Sequence, residues 1–164
     1  MVRVAKFHKV SEEQFKKDFL DEFGFDGDKA YEIVKLPERA TIGSAGYDFV
    51  SPIQFTLKPG KSIKIPTGIR CEMNSNYALF LLPRSGLGFK YHAMLANTLG
   101  LIDCDYYYSS NEGHIMVKIV NNGDKEFHVD AGERFCQGTL VPFGVTDDDN
   151  TYKDRNGGFG STGK

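Results

Sequence analysis

Neither sign of charge prevails in the 164 residues, where 20 Lys and Arg stand against 22 Asp and Glu for a net charge of −2. A whole-protein field that gathers nucleic acid by neutralising phosphates is thereby excluded, although a local basic site is not. Long apolar runs are also missing. The longest, Tyr77 to Leu82, falls far short of the ~18 residues that suggest a bilayer span, so no membrane partner is expected. Cysteine is scarce: Cys71, Cys104 and Cys136 are odd in number and widely spaced, which gives neither a disulfide framework nor a CxxC site. Reduced thiols in a cytoplasmic protein are the expectation. The first ten residues hold Arg3, Lys6, His8 and Lys9 without a continuous apolar stretch, and so do not read as a secretory signal. His8, His92, His114 and His128 lack HxH or HxxxH spacing and read as ordinary core or surface histidines.

What is present fits one globular domain. The length lies within the ~100–200 residues of a single core, and 40% apolar with 26% charged residues is ordinary. Ser11 can cap the amide of Gln14, Gln14 can reach back, and Val10 can staple onto Phe15, which predicts a helix start. Phe15, Phe19 and Phe23 follow at four-residue spacing on one face, and Gly24 stands where a left-handed helix end wants glycine. Such a helix either packs on a core or docks a partner. From Tyr31 the pattern changes to short β-rich runs: Tyr31–Leu36, Ile53–Leu57, Ser62–Ile65, Ile69–Met73, Tyr77–Leu82, Ile115–Val120 and Phe135–Phe143. Turn pairs such as Pro59-Gly60 and Asn122-Gly123 separate them, as in a sandwich or closed barrel. The expected fold class is all-β, a jelly roll or barrel with one peripheral N-terminal helix. The acidic and glycine-rich residues after Phe143 have no apolar face and are expected to form a mobile tail.

Several segments could carry chemistry. Gly158, Gly160 and Gly163 spell GxGxxG and end in Gly163-Lys164, but no strand leads in and no helix follows, so neither a dinucleotide fold nor a P-loop is indicated. The local physics remains that of an anion site, with Arg155 and Ser161 as donors, Gly160 allowing close approach and Phe159 as a ring that can stack on a base. Arg84, Ser85 and Gly86 leave the apolar strand 77–82 at a turn, which either binds phosphate or is a polar strand end. Asp103 follows Leu101-Ile102 inside an apolar stretch, a costly place for an acid without a partner or a task. In extended chain it shares a face with Asp105 and could be a general base; an acidic surface turn is the alternative reading. Asp48 and Gln137 lie in similar strands.

Taken together and in order, AGYDF (45–49), PRSGLG (83–88), GLIDCDY (100–106), GERFCQG (132–138) and RNGGFGSTG (155–163) resemble the five motifs of the trimeric dUTPases. The resemblance runs from about Tyr31 to Lys164. It implies a β-jelly-roll subunit, a homotrimer with shared active sites, and magnesium-dependent hydrolysis of dUTP to dUMP and pyrophosphate by in-line water attack. That reaction limits uracil incorporation into DNA and supplies dUMP for thymidylate synthesis. It further implies Asp103 as the general base, and Arg84, Ser85 and Gly86 on the phosphates with Gln137 nearby. Asp48 would bind the metal's water shell, the main metal ligands being phosphate oxygens. Asn97, with the backbone of Leu101, Ile102, Asp103 and Met116, would read the uracil edge. Tyr106 would lie under the deoxyribose and leave no room for a 2′-hydroxyl. Phe159 would close over the base, with Arg155 and Ser161 over the terminal phosphates and Gly160 among the phosphate donors of 157–163. Gly144 to Asn156 can span at most about 43–47 Å, enough to reach a neighbouring subunit.

The sequence departs from the family pattern in four places. The segment before Tyr31 has no counterpart, Tyr107 to Asn111 adds about five residues before Glu112-Gly113, Arg155 stands two residues before Gly157 where the family often has three, and Gly86 replaces a commoner serine. Three parts are therefore expected: an N-terminal extension over 1–30, the β domain over 31–143 and a C-terminal arm over 144–164. A dCTP deaminase or bifunctional relative of the same fold is the rival enzyme. A regulatory nucleotide-binding protein, using the helix and the 107–111 segment as contact surfaces, is the non-catalytic alternative.

Overall fold

The computed structural model describes residues 2–152. The chain opens with β1 (Ala5–Lys9), then α1 (Glu12–Phe23) and α2 (Asp28–Ile33). There follow β2 (Glu38–Arg39), β3 (Tyr47–Val50), β4 (Phe55–Leu57), β5 (Ser62–Pro66), β6 (Ile69–Met73) and β7 (Tyr77–Pro83). After α3 (Ser85–Tyr91) come β8 (Ala93–Leu95), β9 (Gly100–Ile102), a 3-10 turn over Cys104–Tyr108, β10 (Met116–Asn121), β11 (Phe127–Val129) and β12 (Arg134–Pro142). All strand pairs are antiparallel, in sheets ordered β2-β3-β12-β7-β9, β5-β10-β8, β11-β4 and β1-β6. This is a jelly-roll-like all-β protein, as the turn spacing and the motif order implied. No helix among the described residues is long and apolar enough to cross a membrane.

The N-terminal helix forms for the expected reasons. Ser11 Oγ accepts from Gln14 N at 3.1 Å, and Gly24, at φ 76°, donates its amide to Leu20 O at 2.8 Å. The other half of the capping box differs. Gln14 does not reach back but donates its side-chain amide to Asp18 Oδ2 at 2.8 Å, and Ser11 N instead donates to Glu112 Oε2 at 2.8 Å. Ser11 Oγ adds a 2.7 Å bond to Glu112 Oε1. These bonds from Ser11 hold the Glu112 carboxyl below its ordinary value. A residue 101 positions away thus completes the cap. Ser11→Ala should lower stability by about 1–2 kcal/mol, since it removes the cap and one tie to this loop. Chemical denaturation checks this, and an unchanged midpoint would contradict it.

Phe15 and Phe19 are fully buried in the main core beside Ile65, Ile69, Ile115 and Phe135, so the helix is built into the β structure. The run Tyr31–Leu36 is not a strand: its first half completes α2, and Val34 follows as the helix cap. Tyr31 takes this role because its hydroxyl donates to Val10 O at 2.9 Å and its ring packs on Phe15. The remaining expected strands are found within two residues of their predicted limits. Cys71 and Cys136 are buried free thiols, and burial pushes the Cys71 thiol up to about 12 and that of Cys136 higher still. Neither is a nucleophile.

Candidate active site

Two clefts hold most of the expected site residues among those described, while Asp48, Gly86 and Gln137 line neither. The first, of about 520 Å³, lies between the β9 segment and the β5-β10-β8 sheet, and Asn97, Leu101, Ile102, Asp103, Tyr106 and Met116 all line it. β9 pairs with β7, setting Gly100 opposite Leu81 and Ile102 opposite Leu79. Beyond Ile102 the strand ends, and Asp103 becomes the extended residue (φ −78°, ψ 156°) that starts the 3-10 turn. Asp105 therefore lies inside a turn, and the shared face expected for extended chain does not form. Tyr106 N donates to Asp103 O at 3.2 Å, so one turn spaces the acid from the ring. Asn97 sits in a tight loop where Thr98, at φ 66°, donates its amide to Leu95 O and Leu99 N donates to Asn97 O at 2.7 Å. The cleft thus offers an apolar floor, exposed backbone and one carboxylate.

The second cleft is shallow and includes Arg84 and Ser85. Arg84 is the extended residue before α3, where the amides of Ser85 and Gly86 have no carbonyl within the helix to bond, as at every helix start. Beside it lies a tight polar cluster. Asp48, on β3, has a side chain only 13% exposed and takes Arg84 Nε at 3.2 Å on one oxygen and Arg134 Nη1 at 3.1 Å on the other. Arg84 Nη1 also donates to Arg134 O at 3.3 Å. Gln137, the cross-strand partner of Asp48 on β12, donates from Nε2 to Pro83 O at 3.3 Å. The first motif needs its glycine here, because a Cβ on Gly46 would lie 2.5 Å from Gln137 Oε1. Arg155, Phe159, Gly160 and Ser161 lie outside the described residues.

Arg134 and the pair Lys64 and Lys118 were not singled out from sequence. Arg134 stands within GERFCQG, and β12 carries an irregularity between Arg134 and Cys136 where it pairs with β3. Such a bulge re-aims a side chain, here toward Asp48. Lys64 and Lys118 are directly opposite on β5 and β10 and both line the first cleft. Only the pairing register brings them together. Lys64 reaches Glu22 of α1 at 2.5 Å.

Within one chain the two clefts stay apart. Asp48, Gln137 and Leu82 share one row across β3, β12 and β7, whereas Asp103 lies one strand further and four residues along. In a flat sheet with about 4.8 Å between strands and about 3.4 Å per residue, that offset would separate the two carboxylate residues by about 20 Å.

An antiparallel jelly-roll-like protein with a carboxylate-lined cleft and a separate arginine-rich polar cluster is the class that fold and geometry define. The dUTPase family model matches residues 32–163. Deoxyuridine 5'-triphosphate nucleotidohydrolases of Lactococcus lactis and Herminiimonas arsenicoxydans are 41% and 42% identical over 133 and 138 residues, covering 79% of this chain and 89% of each relative. The crystal structure of dUTPase from Streptococcus mutans aligns with a TM-score of 0.64 at 32% identity, over 86% of this chain and 98% of that one. A mutant dUTPase from phage phi11 of S. aureus, described with a structural Mg(II) ion, shares the fold with a TM-score of 0.66 at 19% identity, over 92% and 98% of the two chains. The chain belongs to the dUTPase family.

Proposed function

We propose that this chain hydrolyses dUTP to dUMP and pyrophosphate with Asp103 as the general base. The supporting observation is the cleft that gathers Asn97, Leu101, Ile102, Asp103, Tyr106 and Met116 around one space. Family membership makes the chain a dUTP nucleotidohydrolase. Asp103 takes a proton from a water molecule, whose oxygen bonds to the α-phosphorus as the bond to the bridging oxygen of pyrophosphate breaks. Asn97 and the backbone of Leu101 to Asp103 and of Met116 pair with the uracil edge. Cytosine would leave those groups unpaired, a mismatch worth discrimination of ~10⁴. Tyr106 lies beneath the deoxyribose.

Arg84, Ser85 and the Gly86 amide bind the phosphates, Arg84 by its bidentate fork and the amides by their free N–H groups. Gln137 lies beside them. Among the described residues no cluster of three or more His, Cys, Asp or Glu side chains could hold a metal, and both oxygens of Asp48 already face guanidinium groups. Magnesium would arrive on the triphosphate, since the ion dehydrates reluctantly, and its water shell would meet Asp48 in competition with the two guanidinium groups. Bound there, magnesium would neutralise phosphate charge. Arg155, Phe159, Gly160 and Ser161 would complete the enclosure of the base and terminal phosphates.

The ~20 Å between Asp48 and Asp103 supports a site built from different copies of the chain. Groups that act on one triphosphate must come within hydrogen-bond reach of it. A homotrimer with shared sites, working in the cytoplasm, is the assembly we propose. Sedimentation of a stable monomer that still hydrolyses dUTP would contradict it. Tyr106→Ala tests the sugar assignment: the mutant should accept UTP far better relative to dUTP, and an unchanged ratio would remove Tyr106 from that role.

A further inference from the structure

Tyr106 is held from behind by the turn that follows it. Its hydroxyl donates to His114 O at 2.8 Å and accepts from Asn111 Nδ2 at 2.8 Å. Asn111 closes the Tyr107–Asn111 addition and is fixed there by its own turn. Its Oδ1 accepts from Gly113 N at 3.2 Å, and its carbonyl accepts from His114 N at 3.1 Å.

Behind that turn stands α1, which precedes the residues 32–163 that match the family. Asp18 Oδ2 lies 2.6 Å from Nδ1 of the fully buried His114 imidazole. Gly68 N donates to His114 Nε2 at 2.8 Å, which places the ring proton on Nδ1 and makes Asp18 the acceptor. Burial works to raise the Asp18 carboxyl, but bonds from His114 and Gln14 outweigh it and hold the group below its ordinary value. Glu112, on the same turn, grips Ser11 at the start of the helix. Arg70 stacks over the Tyr107 ring at 3.7 Å and donates to Tyr107 O at 2.7 Å. The added loop and the added helix thus meet behind one phenol.

We propose that Asn111 is a positioning residue for sugar selection, and that α1 braces it through Asp18 and His114. This rests on the reading of Tyr106 given above. A ring that excludes one extra oxygen discriminates only as well as it is immobile. The 3-10 turn fixes the backbone end of Tyr106 and would still let the ring tilt. Bonds from His114 and Asn111 at the far end remove that tilt, so the floor beneath the sugar cannot yield to a 2′-hydroxyl.

The test is kcat/KM for dUTP and UTP, measured on the full chain with magnesium, beside thermal unfolding of each variant. Asn111→Asp keeps an acceptor for Gly113 N and loses the donor to Tyr106. Tyr106→Phe keeps the ring and loses the hydroxyl. Each should lower the dUTP-to-UTP ratio by about tenfold, the worth of one buried hydrogen bond, mainly through better use of UTP. A merely structural role would move the melting temperature and leave that ratio alone. If Tyr106→Ala lowers the ratio while Asn111→Asp and Tyr106→Phe stay within twofold of wild type, Tyr106 selects the sugar without this support and the inference fails. If Tyr106→Ala also leaves the ratio unchanged, the assignment of Tyr106 itself fails and takes the inference with it.

Discussion

Asp103→Asn should bind dUTP nearly as well as the wild type and hydrolyse it ~10²–10⁴-fold more slowly, the usual contribution of a positioned general base. That corresponds to about 3–5 kcal/mol of barrier. The substitution is nearly isosteric at the extended residue that starts the 3-10 turn, so the backbone there has little reason to change. Asparagine keeps the cleft's shape and polarity but cannot take the proton from water. Nucleotide binding by calorimetry and single-turnover hydrolysis separate the two effects. Near-wild-type turnover in the mutant would move the base to another residue, whereas lost binding would make Asp103 a ligand of the substrate.

A larger recovery is expected from mixing two inactive proteins. Arg84→Ala and Asp103→Asn should each be nearly inactive as pure assemblies, because one lacks the phosphate fork and the other the base. If Arg84 and Asp103 of one site come from different copies, subunits mixed randomly in equal amounts should regain about one quarter of wild-type activity. That fraction is the chance that one copy supplies an intact Arg84 and its neighbour an intact Asp103. Co-refolding the two variants and measuring pyrophosphate release reads this directly. No recovery beyond the sum of the separate activities would place both residues in a site within one chain, against the ~20 Å that the strand register sets between Asp48 and Asp103.

The parts of the fold that local chemistry decides were legible. Ile69–Met73 is a strand with the predicted limits, and Ser11 with Gly24 marks the ends of α1 to the residue. Tyr31–Leu36 misleads because a short run of aromatic and β-branched residues suits a strand or a buried helical turn equally, and only packing against Phe15 and Val10 decides. The helix over Ser85–Tyr91 was hidden for the opposite reason. Gly86 and Gly88 give its sequence poor helix propensity, and tertiary context overrides it.

The site divides in the same way. Its motifs stand in the sequence in order, and the cleft gathers the residues that the third motif supplies. What sequence could not give are pairings across the sheet. Arg134 meets Asp48 because β12 lies beside β3, and Lys64 faces Lys118 because β5 pairs with β10 in that register. The link from Asp18 to His114 joins positions 96 residues apart, and that from Ser11 to Glu112 joins positions 101 apart. The N-terminal segment, which reads from sequence as an appendage, is therefore joined to the turn behind Tyr106.

Release of pyrophosphate from dUTP by the full chain with magnesium, set against dCTP, dTTP and UTP under the same conditions, tests the central claim most directly. The expected result is one molecule each of dUMP and pyrophosphate per dUTP, with discrimination of ~10⁴ against dCTP. Ammonia release from dCTP would assign the chain to the deaminases of this fold, and tight dUTP binding without turnover would make it a nucleotide-binding regulator; either result contradicts Asp103 as a working base.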